Sequence, residues 1–280
     1  MIILLKDKQY VLELMDRTLV MGILNVTPDS FSDGGKYIEK DRAIEHGLAM
    51  VRNGADIIDI GGESTRPYSK RISTDEEMDR VIPVIEGFSR QIDIPISIDT
   101  CKSAVAQEAV MAGASIINDI SALRFDPRMG QVAASLQVPV ILMHMQGTPE
   151  TMQDNPHYDN LLTDIKSFFI KTIEYAKSLG IKEENIIIDP GIGFGKTMSH
   201  NLTIIRNLSC FQSLNRPILL GTSNKAFIGR VVGNNNREMG TMATIACGIM
   251  SGASIVRVHN VKMAVPVVKM ADAIKNASNT

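Results

Sequence analysis

Eight short, largely apolar runs constrain the fold of this chain more than any other feature of its sequence. They span residues 19–24, 56–60, 94–98, 114–117, 138–143, 185–188, 217–220 and 254–256. The residues that directly follow them are Asn25, Gly61, Asp99, Asn118, His144, Asp189, Gly221 and Arg257. Continuous apolar runs of this length are typical of strands that are covered on both faces. The sequence therefore predicts eight buried strands, most of which end at a polar or charged side chain.

The stretches between these runs have the apolar spacing of helices. They span residues 41–53, 75–89, 103–111, 127–136, 158–179, 201–208, 237–251 and 262–276. Strands that alternate with helices pair in parallel through right-handed crossovers. Eight such units indicate an α/β fold, a single (β/α)₈ TIM barrel in one domain of residues 1–280, since about 250 residues is typical of that fold.

An open, doubly wound parallel sheet is the alternative architecture. Such a sheet more often carries a glycine-rich dinucleotide turn after its first strand, and no such turn follows the first run here. In a barrel, the residues at the strand carboxyl ends share one mouth. Residues 1–14 alternate around Asp7 and Lys8 and predict a short N-terminal β-hairpin that closes the bottom of the barrel.

Composition excludes several classes of protein. The formal net charge of −2 predicts no general polyanion-binding surface, so no nucleic-acid partner is expected. No apolar stretch approaches the roughly 18 to 20 residues of a membrane span, and Met1 to Leu5 is too short for a signal peptide. Three well-separated cysteines predict neither a disulfide framework nor a metal knuckle. A reducing cytoplasm is the expected location.

The loop after the first run, residues 25–35, is long for a strand-to-helix connection. Asn25 offers an amide oxygen, and Asp29 and Asp33 offer carboxylates, which are the ligand types that magnesium prefers. Gly34 and Gly35 would permit the hinge motion of a lid. Taken alone, the same residues are also typical of an ordinary turn.

The second long loop, residues 61–71, has the composition of a phosphate site. Two glycines open it, and glycine lets the backbone approach a ligand closely. Thr65 and Arg66 directly follow a buried strand and offer donors suited to phosphate oxygens. For Lys70 and Arg71, further along, a solvated loop is the simpler interpretation.

Residues 189–197 resemble a nucleotide-binding P-loop, but the resemblance is incomplete. Pro190 stands where the first glycine of that motif is required. We therefore do not expect a nucleotide site there. Histidines with metal-ligand spacing are also absent from the sequence, which argues against a zinc site.

Two segments, residues 21–35 and 59–67, resemble the signature segments of the dihydropteroate synthase family. The resemblance continues in family order through residues 97–100, 118–121, 143–145, 189–195 and 257–259. It implies a TIM barrel with a deep pterin pocket and two mobile loops. The implied reaction is a transfer that joins 6-hydroxymethyl-7,8-dihydropterin diphosphate to 4-aminobenzoate, giving 7,8-dihydropteroate and diphosphate on the route to folate. It also implies a magnesium ion, a homodimer packed through the late helices and a target of sulfonamides.

The resemblance further implies roles for individual residues. The pterin would be held by Asp99, Asn118, Asp189 and Lys225, magnesium by Asn25, and the diphosphate by Thr65, Arg257 and His259. The substrate-ordered loops would contribute Phe31, Asp33, Arg66 and Pro67, and the aminobenzoate side would consist of Phe194, Lys225 and the turn 223–226. Met143, Gly221 and Ser223 complete the expected substrate-binding set, in which the catalytic members are Asp33, Arg66, Asp99, Asp189 and Lys225.

The residue types suit a dissociative, SN1-like displacement. An electron-rich dihydropterin can delocalise a cation at its methylene carbon, while magnesium and the cationic side chains stabilise the departing diphosphate. No strong base or covalent nucleophile is then needed, and we expect His259 to bind rather than to act as a base.

The chain also departs from the family pattern. Residues 223–226 read Ser-Asn-Lys-Ala where the family usually has Ser-Arg-Lys-Ser, so a basic side chain and a hydroxyl are missing. Tyr68 replaces a common glycine, and Asn260 stands where aspartate often follows the histidine. These changes bear on 4-aminobenzoate and sulfonamide binding.

Two competing functions are open from the sequence, and the sequence favours a third less. A pterin barrel that transfers methyl groups to a corrinoid protein should lack the first loop and the Thr65–Arg66 contacts, both of which are present. A barrel that only binds pterin would release no diphosphate. A Schiff-base aldolase using Lys225 would be trapped by borohydride.

Overall fold

The computed structural model describes residues 2–5, 8–12, 17–27, 36–65 and 68–277. The chain begins with two antiparallel strands, β1 (Ile2–Leu5) and β2 (Lys8–Val11), in which Ile2 lies opposite Val11 and Leu5 opposite Lys8. The connecting residues 6 and 7 are outside the described ranges. That this pair forms a hairpin closing the bottom of the barrel therefore stays a prediction.

Eight parallel strands follow and form a barrel, which confirms the predicted fold class. They are β3 (Leu19–Asn25), β4 (Ile57–Gly61), β5 (Ile96–Asp99), β6 (Ile116–Asp119), β7 (Val140–Met143), β8 (Ile186–Asp189), β9 (Leu219–Leu220) and β10 (Ile255–Val258). Strands β3 to β8 pair in chain order, and β10 lies between β3 and β9. A parallel bridge from Ile188 to Ile218 joins β8 to the ninth-strand region and closes the ring.

Helices cover the outside of the barrel. They are α1 (Lys36–Arg52), α2 (Thr74–Ser89), α3 (Ser103–Ala112), α4 (Met129–Leu136), α5 (Leu161–Ser178), α6 (Met198–Arg206), α7 (Ala226–Val232), α8 (Arg237–Met250) and α9 (Val261–Lys275). Short α7 was not predicted, because seven residues are too few for the apolar spacing to register. None of the described helices has the length and apolar character to cross a membrane.

Side-chain caps move two helix starts away from the predicted positions. The Asn160 side chain accepts a hydrogen bond from the backbone N–H of Thr163, so α5 begins at Leu161 and not at residue 158. Thr197 caps α6 through the backbone N–H of His200, so that helix begins three residues before the predicted residue 201. Both caps satisfy backbone donors that have no partner within the helix.

The interior of the barrel explains where the polar residues lie. Nine apolar residues form one buried cluster: Leu12, Leu19, Met21, Ile57, Ile116, Ile141, Ile187, Leu219 and Ile255. Side chains on a strand alternate between faces, so the residue two positions further also points into the barrel. Those next inward residues on β4, β6, β7, β8, β9 and β10 are Asp59, Asn118, Met143, Asp189, Gly221 and Arg257. The apolar cluster therefore lies directly beneath a second layer of inward-pointing residues, most of which are polar.

The two ends of the barrel sequence are joined to each other. Ile255 on β10 is in register with Leu19 on β3. The Asp272 carboxylate on α9 accepts hydrogen bonds from the backbone N–H of Thr18 at 2.8 Å and from its hydroxyl at 2.7 Å. The first barrel strand is thus held by the last strand and the last helix.

Candidate active site

The polar layer opens into a cleft at the carboxyl ends of the strands. The space inside this cleft, including the solvent at its mouth, is about 340 Å³. Its lining includes nine of the residues expected from the sequence, namely Thr65, Asp99, Asn118, Met143, Asp189, Phe194, Gly221, Lys225 and Arg257, together with Ile120 and Ile192. Five strands and four loops contribute these residues, so only the closed barrel brings them together.

Arg257 connects the carboxylates at the floor of the cleft. Its Nε donates to Oδ2 of Asp59 at 2.6 Å, and its Nη2 donates to Oδ2 of Asp99 at 2.7 Å. The Asn118 amide also donates to Oδ2 of Asp59, at 3.1 Å. Although burial opposes it, the attraction of Asp59 and Asp99 raises the pKa of Arg257 above its usual value. The floor is a fixed network in which one cation orients two carboxylates and an amide.

Burial controls the protonation of the acidic residues in the cleft. It raises the pKa of Asp189 to about 6, although the backbone N–H of Gly191 donates to that carboxylate at 2.7 Å and opposes the shift. Burial likewise raises the pKa of Asp99, against the attraction of Arg257. Both side chains are less than a tenth exposed. Neutral pH is thus close to the range in which these groups change charge.

Lys225 and Phe194 face each other on the opposite wall. The Lys225 ammonium lies 4.2 Å from the centre of the Phe194 ring, a cation–π contact. Burial lowers the pKa of Lys225 to about 8. Gly193 permits this arrangement, because a Cβ at that position would come within 3.1 Å of the Lys225 chain and its φ is +83°.

Ser223 and His259 form a second polar pair beyond β9 and β10. Ser223 Oγ lies 2.9 Å from Nδ1 of His259 and accepts a hydrogen bond from the His259 backbone N–H at 3.2 Å. Asn260 has the separate task of capping α9, since its side chain accepts from the backbone N–H of Met263. The substitution of the family's usual aspartate by Asn260 thus keeps a helix cap.

The expected loop residues are only partly described. Asn25 ends β3 in register with Gly61, the residue that opens the second loop. Phe31, Asp33, Arg66 and Pro67 lie outside the described residues, so their predicted roles are untested. At the edge of the second loop, Tyr68 has φ +65°, a left-handed conformation that favours glycine. Asn224 is also left-handed, at φ +57°, and asparagine tolerates that conformation well.

Sequence reasoning missed three groups of buried polar residues. Asp59 was hidden inside an apolar run, although counting inward positions in steps of two along β4 would have found it. Lys196 belongs to the rejected P-loop-like segment, yet it is 2% exposed and contacts His144. Lys102 donates to Glu63 and, at 2.5 Å, to the buried Glu77, which ties the start of the second loop to α2 and α3. No spacing in the sequence indicates that last cluster.

Comparison with known proteins gives consistent results. The family model described as "Pterin binding enzyme" matches residues 21–259. A dihydropteroate synthase of Bacillus subtilis is 51% identical over 271 residues, which cover 96% of this chain and 93% of that protein. The solved Yersinia pestis dihydropteroate synthase, in a sulfonamide drug complex, superposes with a TM-score of 0.91 at 43% identity, covering 99% of this chain and 100% of that one. The Xanthomonas albilineans dihydropteroate synthase in complex with 7,8-dihydropteroate gives a TM-score of 0.86 at 40% identity, covering 95% and 97%.

Proposed function

The chain belongs to the dihydropteroate synthase family of pterin-binding enzymes, and from this membership we infer how its own residues carry the reaction. It condenses 6-hydroxymethyl-7,8-dihydropterin diphosphate with 4-aminobenzoate, giving 7,8-dihydropteroate and diphosphate in folate synthesis. The observation that supports the following assignments is the cleft in which buried carboxylates and an amide stand opposite Lys225.

The pterin ring is held by the floor of the cleft. A pterin presents an amino group and ring N–H groups in a row, and these donors match the oxygens of Asp99, Asn118 and Asp189. Lys225 donates to the ring oxygen and nitrogen from the other side. In a site with little water such hydrogen bonds discriminate strongly, because an analogue without the donors leaves buried acceptors unpaired.

Thr65, His259 and Ser223 receive the diphosphate. Arg257 contributes mainly through its charge, since two of its nitrogens already donate to Asp59 and Asp99. Arg66, outside the described residues, would add a second guanidinium when the loop orders. Cationic donors fixed near the leaving group stabilise the negative charge that develops there.

Asn25 is the proposed protein ligand for magnesium. Magnesium keeps several waters and is usually held by one or two protein oxygens plus substrate phosphates. Among the described residues no three His, Cys, Asp or Glu side chains form a metal cluster, so a single amide oxygen fits that mode of binding. When bound, the ion neutralises diphosphate charge. Asn25→Ala should raise the magnesium concentration needed for half-maximal activity; an unchanged magnesium titration would remove Asn25 from this role.

The displacement is dissociative. The diphosphate departs first and the dihydropterin carries the positive charge, so the amine of 4-aminobenzoate attacks without a general base. A series of ring-substituted anilines should therefore show a weak dependence of rate on nucleophile basicity. A strong dependence would contradict this mechanism.

Diphosphate release by the purified protein tests the whole proposal. With the dihydropterin diphosphate, 4-aminobenzoate and magnesium, we expect diphosphate and dihydropteroate in equal amounts, and neither product when one substrate is omitted. Pterin binding without either product would overturn the catalytic assignment and favour a barrel that only binds pterin.

The proposed assembly is a homodimer in the cytoplasm. Four large apolar side chains on the neighbouring helices α8 and α9 are more than half exposed, namely Met239, Met250, Met270 and Ile274. A second copy of the chain would cover them. The three cysteines are all unpaired thiols, which supports a reducing compartment.

A further inference from the structure

Lys196 is a buried lysine to which the assigned chemistry gives no role. It lies in the P-loop-like segment after β8 and is only 2% exposed. Its described neighbours include no carboxylate within salt-bridge distance. Burial lowers the pKa of Lys196 to about 7, although the more distant Asp189 carboxylate opposes the shift. An apolar side chain of the same size would avoid the cost of burying this group. A lysine at this position is therefore expected to have a function.

The Lys196 ammonium has one acceptor within hydrogen-bond distance for each of its three donors. It lies 3.0 Å from Nδ1 of His144 and donates to the carbonyl oxygens of Phe194 at 2.9 Å and of His144 at 3.3 Å. In its protonated form Lys196 has three N–H donors, and these are three acceptors. Burial lowers the pKa of His144 to about 2, so its ring is neutral. With Nδ1 accepting from Lys196, the ring proton is assigned to Nε2.

These contacts join two loops that are already in close apposition. A Cβ at Gly191 would lie 2.0 Å from the His144 carbonyl oxygen, and one at Gly195 would lie 2.7 Å from the Gln146 carbonyl oxygen. The Tyr158 hydroxyl donates to the Gly195 carbonyl at 2.8 Å. Lys196 thus fixes the backbone of Phe194 between the β7 loop and the β8 loop.

Phe194 is the residue through which this attachment reaches the cleft. Its ring packs in one cluster with Met143 and Ile120 and also makes the cation–π contact with the Lys225 ammonium. A shift of the Phe194 backbone would move the surface against which Lys225 rests. The position of Lys225 therefore depends on the loop that Lys196 holds.

We propose that Lys196 is a positioning residue for the second substrate: by fixing Phe194, it holds the ring and the Lys225 ammonium where 4-aminobenzoate must dock. This inference rests on the proposed assignment of Phe194 and Lys225 to the aminobenzoate side. It gives a function to the lysine of the P-loop-like segment that involves no nucleotide.

Lys196→Met tests the inference, because it keeps an unbranched side chain only one atom shorter and removes all three donors. We expect KM for 4-aminobenzoate to rise about tenfold, equivalent to about 1.4 kcal/mol. The calorimetric Kd for the dihydropterin diphosphate should change less than about twofold. Phe88→Leu, in the packed interface of α1 and α2, is the matched control: it should lower Tm and leave KM unchanged.

A double-mutant cycle with Phe194→Ala shows whether Lys196 acts through that ring. If it does, Lys196→Met should add no further increase in KM on the Phe194→Ala background. Additive effects, or a Lys196→Met protein with a lower Tm and the wild-type KM, would overturn the inference. If Lys196→Met does not fold, Lys196→Gln replaces it in the test, because its shorter side chain places an acceptor oxygen among the three acceptors and cannot bond to all of them. A wild-type KM in that variant would also overturn the inference. Failure of the proposed function is a separate result, since the unmodified protein would then make no dihydropteroate.

Discussion

At the scale of single residues, this site is built from charges that the fold keeps in a dry environment. Arg257 holds Asp59 and Asp99 together, and the Asp59 carboxylate in turn orients the Asn118 amide. Oriented acceptors lose little entropy when a ligand arrives, which favours both affinity and selectivity. The corresponding disadvantage is stability, because buried carboxylates are poorly solvated.

Asp189 allows this balance to be measured. Its pKa rises from 3.8 to about 6 on folding, so the folded state binds the extra proton between those values. The free energy of unfolding must therefore fall as pH rises through that window, and the full penalty is present above it. We expect Asp189→Asn to raise Tm by about 2–6 °C at pH 8, with little change near pH 4.

Binding should respond to the same substitution in the opposite direction. Pterin affinity of the unmodified protein should fall as pH drops below about 6, whereas Asp189→Asn should bind weakly at every pH. Asp126→Asn is the contrast, since hydrogen bonds to the Asp126 carboxylate lower its pKa against the effect of burial, and that variant should lose stability at pH 8. Thermal unfolding and titration calorimetry from pH 4 to pH 8 would measure both effects. A lower Tm for Asp189→Asn at pH 8 would contradict the argument.

Asp59 should matter for pterin binding although it lies beneath the cleft lining. Asp59→Asn removes one of the two carboxylate charges that bond to Arg257. It also replaces one carboxylate oxygen by an NH₂ group, which cannot accept from the Arg257 and Asn118 donors. We expect the Kd for the dihydropterin diphosphate to rise about tenfold or more, because Asn118 and Arg257 lose their common acceptor. Titration calorimetry would measure this Kd, and a wild-type value would show that Asp59 serves only the fold.

At the scale of elements, the glycine-bearing loop after β8 shows how backbone geometry defines the site. Gly191 combines a left-handed φ of +69° with a hypothetical Cβ position only 2.0 Å from a backbone oxygen. Backbone cannot yield as a flexible side chain can. The loop therefore has its shape only because no side chain is present there.

Gly191→Ala should be much more damaging than Gly180→Ala. Gly180 also has a positive φ, +94°, but the nearest atom to its hypothetical Cβ is 3.7 Å away. Gly180→Ala should therefore lose about 1–2 kcal/mol of unfolding free energy from conformation alone. Gly191→Ala should lose more than about 3 kcal/mol and most activity. Chemical denaturation would compare the two variants, and equal losses would show that the close approach does not matter.

The elements and residues that could be predicted from the sequence are those indicated by residues close together in the chain. The barrel followed from apolar runs, yet the run at 217–220 contains only the two-residue strand Leu219–Leu220, because apolar character alone does not set pairing. Residues at strand ends, such as Asn118 and Asp189, were found because they interrupt the runs. Asp59 was missed because it lies inside an apolar run, where only the alternation along β4 indicates it. Its contact with Arg257, 198 positions further along the chain, is one that no local pattern reports.

At the scale of the whole molecule, the late helices differ from the rest of the surface. α8 and α9 pack side by side. The methionine and isoleucine side chains named above are more than half exposed on these two helices. Scattered apolar side chains are normal on a surface, but a set of them on two adjacent helices is typical of an interface.

Dimerisation through this face predicts how the mass in solution responds to charged substitutions. The double variant Met270→Glu with Ile274→Glu would bury two charges against the second copy, so light scattering should give the monomer mass of 30.6 kDa while the unmodified protein gives twice that value. Met111→Glu is the matched control, because Met111 is 71% exposed on α3. That variant should remain dimeric. A monomeric unmodified protein at micromolar concentration would exclude the dimer.

The pairing of the first barrel strand with the last has a consequence for synthesis in the cell. β10 supplies Arg257, is directly followed by His259, lies between β3 and β9, and is the last of the described strands to be made. A nascent chain that stops before β10 has its acidic floor residues but lacks the cation that holds Asp59 and Asp99 together. The ribosome must therefore release β10 before the pocket exists, and substrate can stabilise only a chain in which that strand has paired.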